Sequence, residues 1–281
     1  MKQFKFLTEL ILIILILSTN SFSSVYAYYL QDDGTELTNY KPSKIIYLDE
    51  NNLLSSLIEL NKDKSNSIEL KFVNLNYNQI NKFLDSIVNK FGIIGIVFER
   101  IEEVRLLESL SKFNQLKGLA FIECKKIEIN DNFRFKEPVV TLSFVECQNI
   151  KISSGFEHSR CLYNIKFCNI FTNIDEGSPT FDYNEFIGRF YKKNIRSFDL
   201  WDYKTNTFPP NIFNQSNLRS FGLKTDTIRF IPDKFDSLPL LSVLNMESNL
   251  EDILPPSLLK IKNEIFLVSN RKLIHYGGIT K

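Results

Sequence analysis

The sequence predicts an α/β protein built as a repeat array, in which short strands stack into a curved parallel sheet and helices or turns cover the outer face. Three observations predict it: a unit that restarts every 23 residues, strand alternation inside each unit, and one helical apolar stripe upstream of the regular units. Units this short cannot bury an apolar face alone, so stacking must do it.

The first element is a leader. Met1-Lys2-Gln3-Phe4-Lys5 is a short basic start, and Leu10 to Leu17 is an unbroken apolar run ahead of a polar Ser-Thr-Asn-Ser stretch. That order is the layout of a signal peptide, and Val25-Tyr26-Ala27 places small side chains where a peptidase inspects them. The expected boundaries are a signal peptide over 1–27 and a mature chain from Tyr28. The run is shorter than the ~20 residues of a spanning helix. An uncleaved membrane anchor is the alternative localisation, and it would bring Glu9 into the bilayer at roughly 2.5–3.5 kcal/mol at the centre.

Without Lys2, Lys5 and Glu9 the formal charge falls from +1 to zero. Such a balance gives no general attraction for nucleic acid or anionic membrane. No later stretch is apolar and long enough to span a membrane. The expectation is a secreted or surface protein with no nucleic-acid partner and no integral span after signal removal.

Next come residues 28–92, read as an amino-terminal cap with irregular repeats. Ile45 to Leu48 and Ile68 to Phe72 alternate as strands. Between them and the regular units, Ile80, Phe83, Leu84, Ile87, Val88 and Phe91 fall on one helical face. Residues 28–66 serve as the edge that covers a core with no neighbour on one side.

The regular array occupies 93–281. Units start at Ile93, Leu116, Val139, Leu162, Ile195, Leu218, Leu241 and Glu264. Every step is 23 residues except Leu162 to Ile195, which is 33, so one unit carries a ten-residue insertion, placed at about 172–194. Positions one, four and six are apolar, as in Leu116, Leu119, Phe121 and Val139, Leu142, Phe144. Position nine is Cys124, Cys147, Asp226 or Asn249, small polar groups suited to bonding the turn that leaves the strand.

This pattern, Leu-x-x-Leu-x-Leu-x-x-(Asn or Cys)-x-Leu, resembles the leucine-rich-repeat family. Phe208-Pro209-Pro210-Asn211-Ile212-Phe213 and Ile228 to Phe235 extend it into the Leu-Pro half of the unit, whereas after Asn249 the apolar residue comes one place early. The resemblance runs from Ile195 to Asn263, continues less closely over Ile93 to Phe171, and fades upstream. It implies a horseshoe solenoid with the strands on the concave face, an inward-pointing ninth side chain, and recognition of a macromolecule.

The chemistry that a catalyst needs is sparse. His158 and His275 are the only histidines and stand in different units. No Gly-rich phosphate loop, His-Glu-x-x-His or Cys-x-x-Cys occurs. Glu123 and Glu146 share the eighth position of neighbouring units and read as solvated strand-end carboxylates. The expectation is therefore a non-enzyme with no cofactor and no metal. Cys124 and Cys147 would lie about one strand spacing, ~4.8 Å, apart; the inward ninth position that the resemblance implies makes them buried thiols, with a disulfide between them the alternative, and any pairing of Cys161 with Cys168 is left open. Asn214-Gln215-Ser216 is a glycosylation sequon on the outer side of the curve.

The candidate site is the seventh column, whose side chains point away from the core: Ile122, Val145, Cys168, Trp201 and Lys224, with Glu99 and Glu247 beyond. An apolar strip with a polar rim and the chain's only tryptophan is how protein-binding hot spots are built. The insertion, rich in aromatics from Phe181 to Tyr191, is expected either to carry recognition or to fold as a lid. The resulting reading is a non-catalytic binding protein for a protein or glycan ligand. A truncated or vestigial fragment of a longer receptor or adhesion ectodomain is the alternative, and an extracellular hydrolase the third reading. Ligand identity and oligomeric state are not encoded in any motif.

Overall fold

Alternation of apolar and polar residues makes a short segment a strand with one buried face, and the described residues use that device repeatedly. The computed structural model describes residues 27–30, 36–40, 42–62, 67–87, 92–105, 108–130, 141–153, 164–168, 181–190, 195–201, 205, 207–225, 228, 230–248, 255–260, 265–269 and 272–276. Residues 1–26 of the proposed leader lie outside them, as do Asp226, Asn249, Cys161 and His158.

The strands, in chain order, are β1 (Ala27–Leu30), β2 (Glu36–Tyr40), β3 (Lys44–Leu48), β4 (Ile68–Val73), β5 (Ile93–Glu99), β6 (Glu103–Arg105), β7 (Gly118–Ile122) and β8 (Lys126–Ile129). They continue as β9 (Thr141–Val145), β10 (Ile150–Ile152), β11 (Asn164–Cys168), β12 (Ser197–Trp201), β13 (Ser220–Thr225), β14 (Val243–Ser248), β15 (Ile265–Ser269) and β16 (Lys272–Tyr276). The α-helices are α1 (Leu53–Lys62), α2 (Tyr77–Ile87), α3 (Glu108–Ser111) and α4 (Tyr183–Arg189).

The protein is a mixed α/β fold dominated by parallel pairing. One sheet of eleven strands runs β16-β15-β14-β13-β12-β11-β9-β7-β5-β4-β3. From β3 to β15 all neighbours are parallel; β16 turns back antiparallel on β15. β16 is thereby the outermost described strand on that side of the sheet. β1 and β2 form a separate antiparallel pair, and the expected leader cleavage after Ala27 falls at its first residue.

The sheet register is the one the 23-residue spacing requires. Ile96 pairs with Leu119, Leu119 with Leu142, Ile165 with both Leu142 and Phe198, and Phe221 with Phe198 and Leu244. The ten extra residues therefore leave no trace in the sheet. Phe167 still meets Leu200, and Cys168 still meets Trp201.

Behind the sheet lies one continuous core. Phe72, Phe98, Phe121, Phe144 and Phe167 stack in a file with centroids 5.8, 5.4, 5.1 and 5.1 Å apart and planes within 17° of parallel. The file exists because the sixth position is phenylalanine in five consecutive strands of the sheet. After the insertion that position becomes Leu200 and Leu223, and the large rings move to the fourth position as Phe198 and Phe221.

The described part of the inserted segment, 181–190, packs into the core. On α4, Tyr183, Phe186 and Ile187 are buried, and Phe190 follows them inward. The Phe167 ring meets Tyr183 and Phe186 edge-on at 5.2 Å each. Asp182 caps the helix by accepting from the Glu185 N–H at 2.8 Å. Asn184 clasps the next turn: its Oδ1 accepts from the Asn211 N–H at 2.8 Å, and its carbonyl accepts from Asn211 Nδ2 at 2.9 Å. α4 is thus the outer-face helix of its own unit, matching the one-turn 3-10 helix Pro210–Asn214 of the following one.

Candidate functional site

Side chains alternate across each strand, so the core at positions four and six leaves positions three, five and seven on the opposite face of the sheet. The pairing Glu99, Ile122, Val145, Cys168, Trp201, Lys224, Glu247 runs unbroken across seven strands. The five residues singled out from sequence are therefore neighbours along one column. The side chain of Cys168 lies outside the described set.

Their surroundings differ along the column. Ile122 is half-buried and Val145 is 5% exposed, and beside them Val97 and Ala120 form a small apolar cluster of their own, separate from the main core. Val145 thus offers almost no surface, which narrows the open part of the strip. Further along, Ser197, Asp199, Trp201, Ser220 and Lys224 are all half-buried, each with part of its surface in water.

Gly222 explains how Trp201 and Asp199 sit. A Cβ built there would come 2.2 Å from Asp199 Oδ1 and 3.2 Å from Trp201 Nε1. The carboxylate and the indole N–H edge of β12 both lean across onto β13, and only a missing side chain makes room. Composition and spacing gave no hint of this, because Gly222 sits in the fifth column, one strand over from the tryptophan.

At the other end of the face, an ion pair is buried. Lys71 Nζ contacts Glu99 Oε2, with the two side chains 8% and 12% exposed, and Arg100 Nη2 lies 2.9 Å from Glu99 Oε1. The ammonium also stands 5.4 Å from the Tyr47 ring centroid, within cation–π range.

The ninth position behaves as the resemblance implies where it is described. Cys124 and Cys147 are fully buried and unbridged. Cys124 Sγ lies within donating distance of the Phe98 and Ile122 carbonyls, at 3.4 and 3.5 Å, and Cys147 Sγ of the Val145 carbonyl, at 3.3 Å. The neighbouring Cys147 side chain lowers the Cys124 pKa, while burial, reinforced by Cys124, raises that of Cys147.

Just before it, the eighth position carries a feature that sequence reading missed. Asn74, Arg100, Glu123 and Glu146 all have φ of 53°, in the left-handed region that non-glycine residues rarely occupy. In three of them the N–H reaches the next strand: Asn74 N donates to Glu99 O at 3.1 Å, Arg100 N to Ile122 O at 2.9 Å and Glu123 N to Val145 O at 2.8 Å. What Glu123 and Glu146 share is the left-handed φ, and both side chains are exposed.

On the outer side, Asn214 and Ser216 are exposed while Gln215 between them is buried and donates to the Ile187 carbonyl at 3.3 Å. Asn214 Nδ2 donates to Asn211 Oδ1 at 3.0 Å. Among the described residues no His, Cys, Asp and Glu group could hold a metal, and no helix is long and apolar enough to cross a membrane.

No protein-family model matches the sequence, and no curated protein matches it. Among solved structures, a chain from the Toll–Spätzle complex of Drosophila is similar, at 16% identity and a TM-score of 0.39. The match covers 82% of this chain and 31% of that one, so the chain spans about a third of its neighbour's length. A likeness at that score does not carry the fold, which rests here on the sheet register.

Proposed function

We propose that the chain is a leucine-rich-repeat solenoid that works outside the cell as a binding module, holding a protein or glycan partner on the concave sheet with no chemistry of its own. The 23-residue unit, the register it dictates and the buried ninth position support the family reading. The observation that carries the binding reading is the open sector around Gly222, where Trp201 and Asp199 are set across a neighbouring strand beside Lys224. An aromatic held in place before binding loses little conformational entropy on contact, which is what makes such residues hot spots.

The sequon fits this arrangement. Asn214 belongs to the outer turn Pro210–Asn214, so a glycan there would leave the sheet face clear. The test starts from crosslinking of the tagged mature protein on source cells. Each captured candidate is then titrated against wild type, Trp201→Ala and Asn214→Gln. The reading requires a partner whose affinity falls with the first variant and holds with the second, at unchanged thermal midpoints. A partner indifferent to Trp201 overturns the concave site.

A further inference from the structure

The buried thiols at the ninth position take no part in a concave binding face, yet the register brings them together. Cys124 and Cys147 each stand two residues beyond the paired Ile122 and Val145. Backbone bonds hold the two turns in step on both sides, from Glu123 N to Val145 O and from Gln148 N to Cys124 O, each 2.8 Å. Their Cα atoms are thereby kept near the ~4.8 Å spacing of adjacent strands. That lies inside the roughly 4.4–6.8 Å window of a disulfide.

We propose that Cys124 and Cys147 are a modification site, closed as a disulfide between adjacent units when the chain folds in an oxidising compartment, with a protein disulfide oxidoreductase as the oxidant. The proposal rests on the extracellular reading above for its setting, and on register and burial for its chemistry. Both side chains are fully buried in the same core. Two of the three carbonyls that face the thiols keep a backbone donor after bridging: Ile122 O keeps the Arg100 N–H and Val145 O keeps the Glu123 N–H, and only Phe98 O gives up the Cys124 S–H.

The step balances as ordinary thiol–disulfide exchange. Cys124 loses its proton to water and attacks the oxidoreductase disulfide, releasing one of its thiolates. Cys147 then loses its proton and attacks Cys124 Sγ, releasing the second. One S–S bond is made and one broken; two electrons pass to the oxidoreductase, which ends as a dithiol. Because both cysteines are fully buried once the units have stacked, the exchange belongs to the folding chain. The structure, with both thiols free, is the reduced end state.

Trypsin separates all four cysteines. Cys124 falls in Gly118–Lys125, Cys147 in Glu137–Lys151, Cys161 in Cys161–Lys166 and Cys168 in Phe167–Arg189. The full chain, expressed with its leader in a eukaryotic secretory host, is collected from the medium, denatured with iodoacetamide present and no reductant, and digested. The expected product is Gly118–Lys125 joined to Glu137–Lys151, lighter by two hydrogens than the separate peptides and lost on reduction. A second arm unfolds reduced protein from cytosolic expression and refolds it with reduced and oxidised glutathione, where the same joined peptide is expected. Folded reduced protein given oxidised glutathione should link far more slowly than the unfolded chain.

Alkylation of both Cys124 and Cys147 in secreted protein, or a bridge from either to Cys161 or Cys168, overturns the disulfide and leaves the extracellular reading intact. Failure of the chain to leave the cell, with the joined peptide still formed on refolding, overturns the extracellular reading and leaves the disulfide standing.

Discussion

The two ends of the long sheet are built from the same unit and solve different problems. From β4 to β11 the core is a file of parallel phenylalanines, and the opposite face is tight around β5 to β9, with Val97, Ala120 and Val145 buried and the Lys71–Glu99 pair beneath the surface. From β12 to β14 the file breaks. Phe198 and Phe221 stand 6.5 Å apart in another column, the outer turns bring in Phe208, Phe213 and Phe235, and Trp201 reaches the opposite face at Gly222. A repeat fixes where side chains point. What they do there is decided unit by unit, so stability and recognition can be sited at opposite ends of one array.

The largest expected effect tests the file itself. Phe144 is stacked on Phe121 and on Phe167, so Phe144→Ala should lose burial, leave a cavity and break two ring contacts, at about 4–5 kcal/mol. Leu200→Ala, the same column beyond the insertion, should cost about 3 kcal/mol. Urea denaturation of both variants gives the two numbers, and equal costs would mean that stacking adds nothing beyond burial.

Second in size is the buried pair. Glu99→Ala strands the Lys71 ammonium, which is 8% exposed, and should cost about 3 kcal/mol. Replacing both, as Lys71→Met with Glu99→Leu, should recover most of that. If the double variant is no better than the single one, the pair is holding the backbone at β4 and β5 and its charge is incidental.

On the recognition side, Trp201→Ala should weaken partner binding by about 2 kcal/mol with the thermal midpoint nearly unchanged. Gly222→Ala sharpens this further. The added methyl meets Asp199 Oδ1 and Trp201 Nε1, ends that can swing away, so the fold should tolerate it while the indole moves. With only one tryptophan in the chain, its emission spectrum reports that movement directly. An unshifted spectrum would show that Gly222 does not position the ring.

How much of this was legible beforehand follows a physical line. The sheet register, including its resumption past the long unit, was readable because two inward side chains per unit must align in every strand or the core fails. The inward ninth position at Cys124 and Cys147 was readable for the same reason. The helix α1 was not, since Leu54 and Ile58 are exposed and dilute its apolar stripe. Nor was the second, three-stranded sheet of β6, β8 and β10, whose three- and four-residue strands are too short to show a period. The seating of Trp201 turns on a glycine in another unit, a contact that no periodicity within one unit can reveal.

A smaller effect separates backbone from charge at the eighth position. Glu123 pays for a left-handed φ of 53° with no compensating side-chain burial, so Glu123→Gly should stabilise by about 0.5–1 kcal/mol once glycine's extra unfolded freedom is deducted. Glu123→Val, β-branched at the same φ, should destabilise. A neutral or destabilising glycine would mean that the carboxylate does more than ride the turn.

The smallest expected effect lies on the outer face beyond the insertion, where one carboxylate ties two units. Asp233 Oδ1 accepts from the Ser257 N–H at 2.6 Å, and the Ser257 hydroxyl oxygen accepts from the Phe235 N–H at 2.9 Å. The Ser257 hydroxyl, then its N–H, hold the Asp233 pKa below the usual aspartate value. A carboxyl whose pKa is lower folded than unfolded adds stability above its unfolded pKa of ~3.9, and that contribution fades as pH falls through the lower folded value. Asp233→Asn keeps an acceptor and removes the charge. Its denaturation midpoint should therefore sit slightly below wild type at pH 7, and the gap should close as pH falls from the unfolded pKa through the lower folded one. A gap constant across that range would assign the effect to hydrogen-bond geometry alone, and the carboxylate's charge would drop out of what joins these two turns.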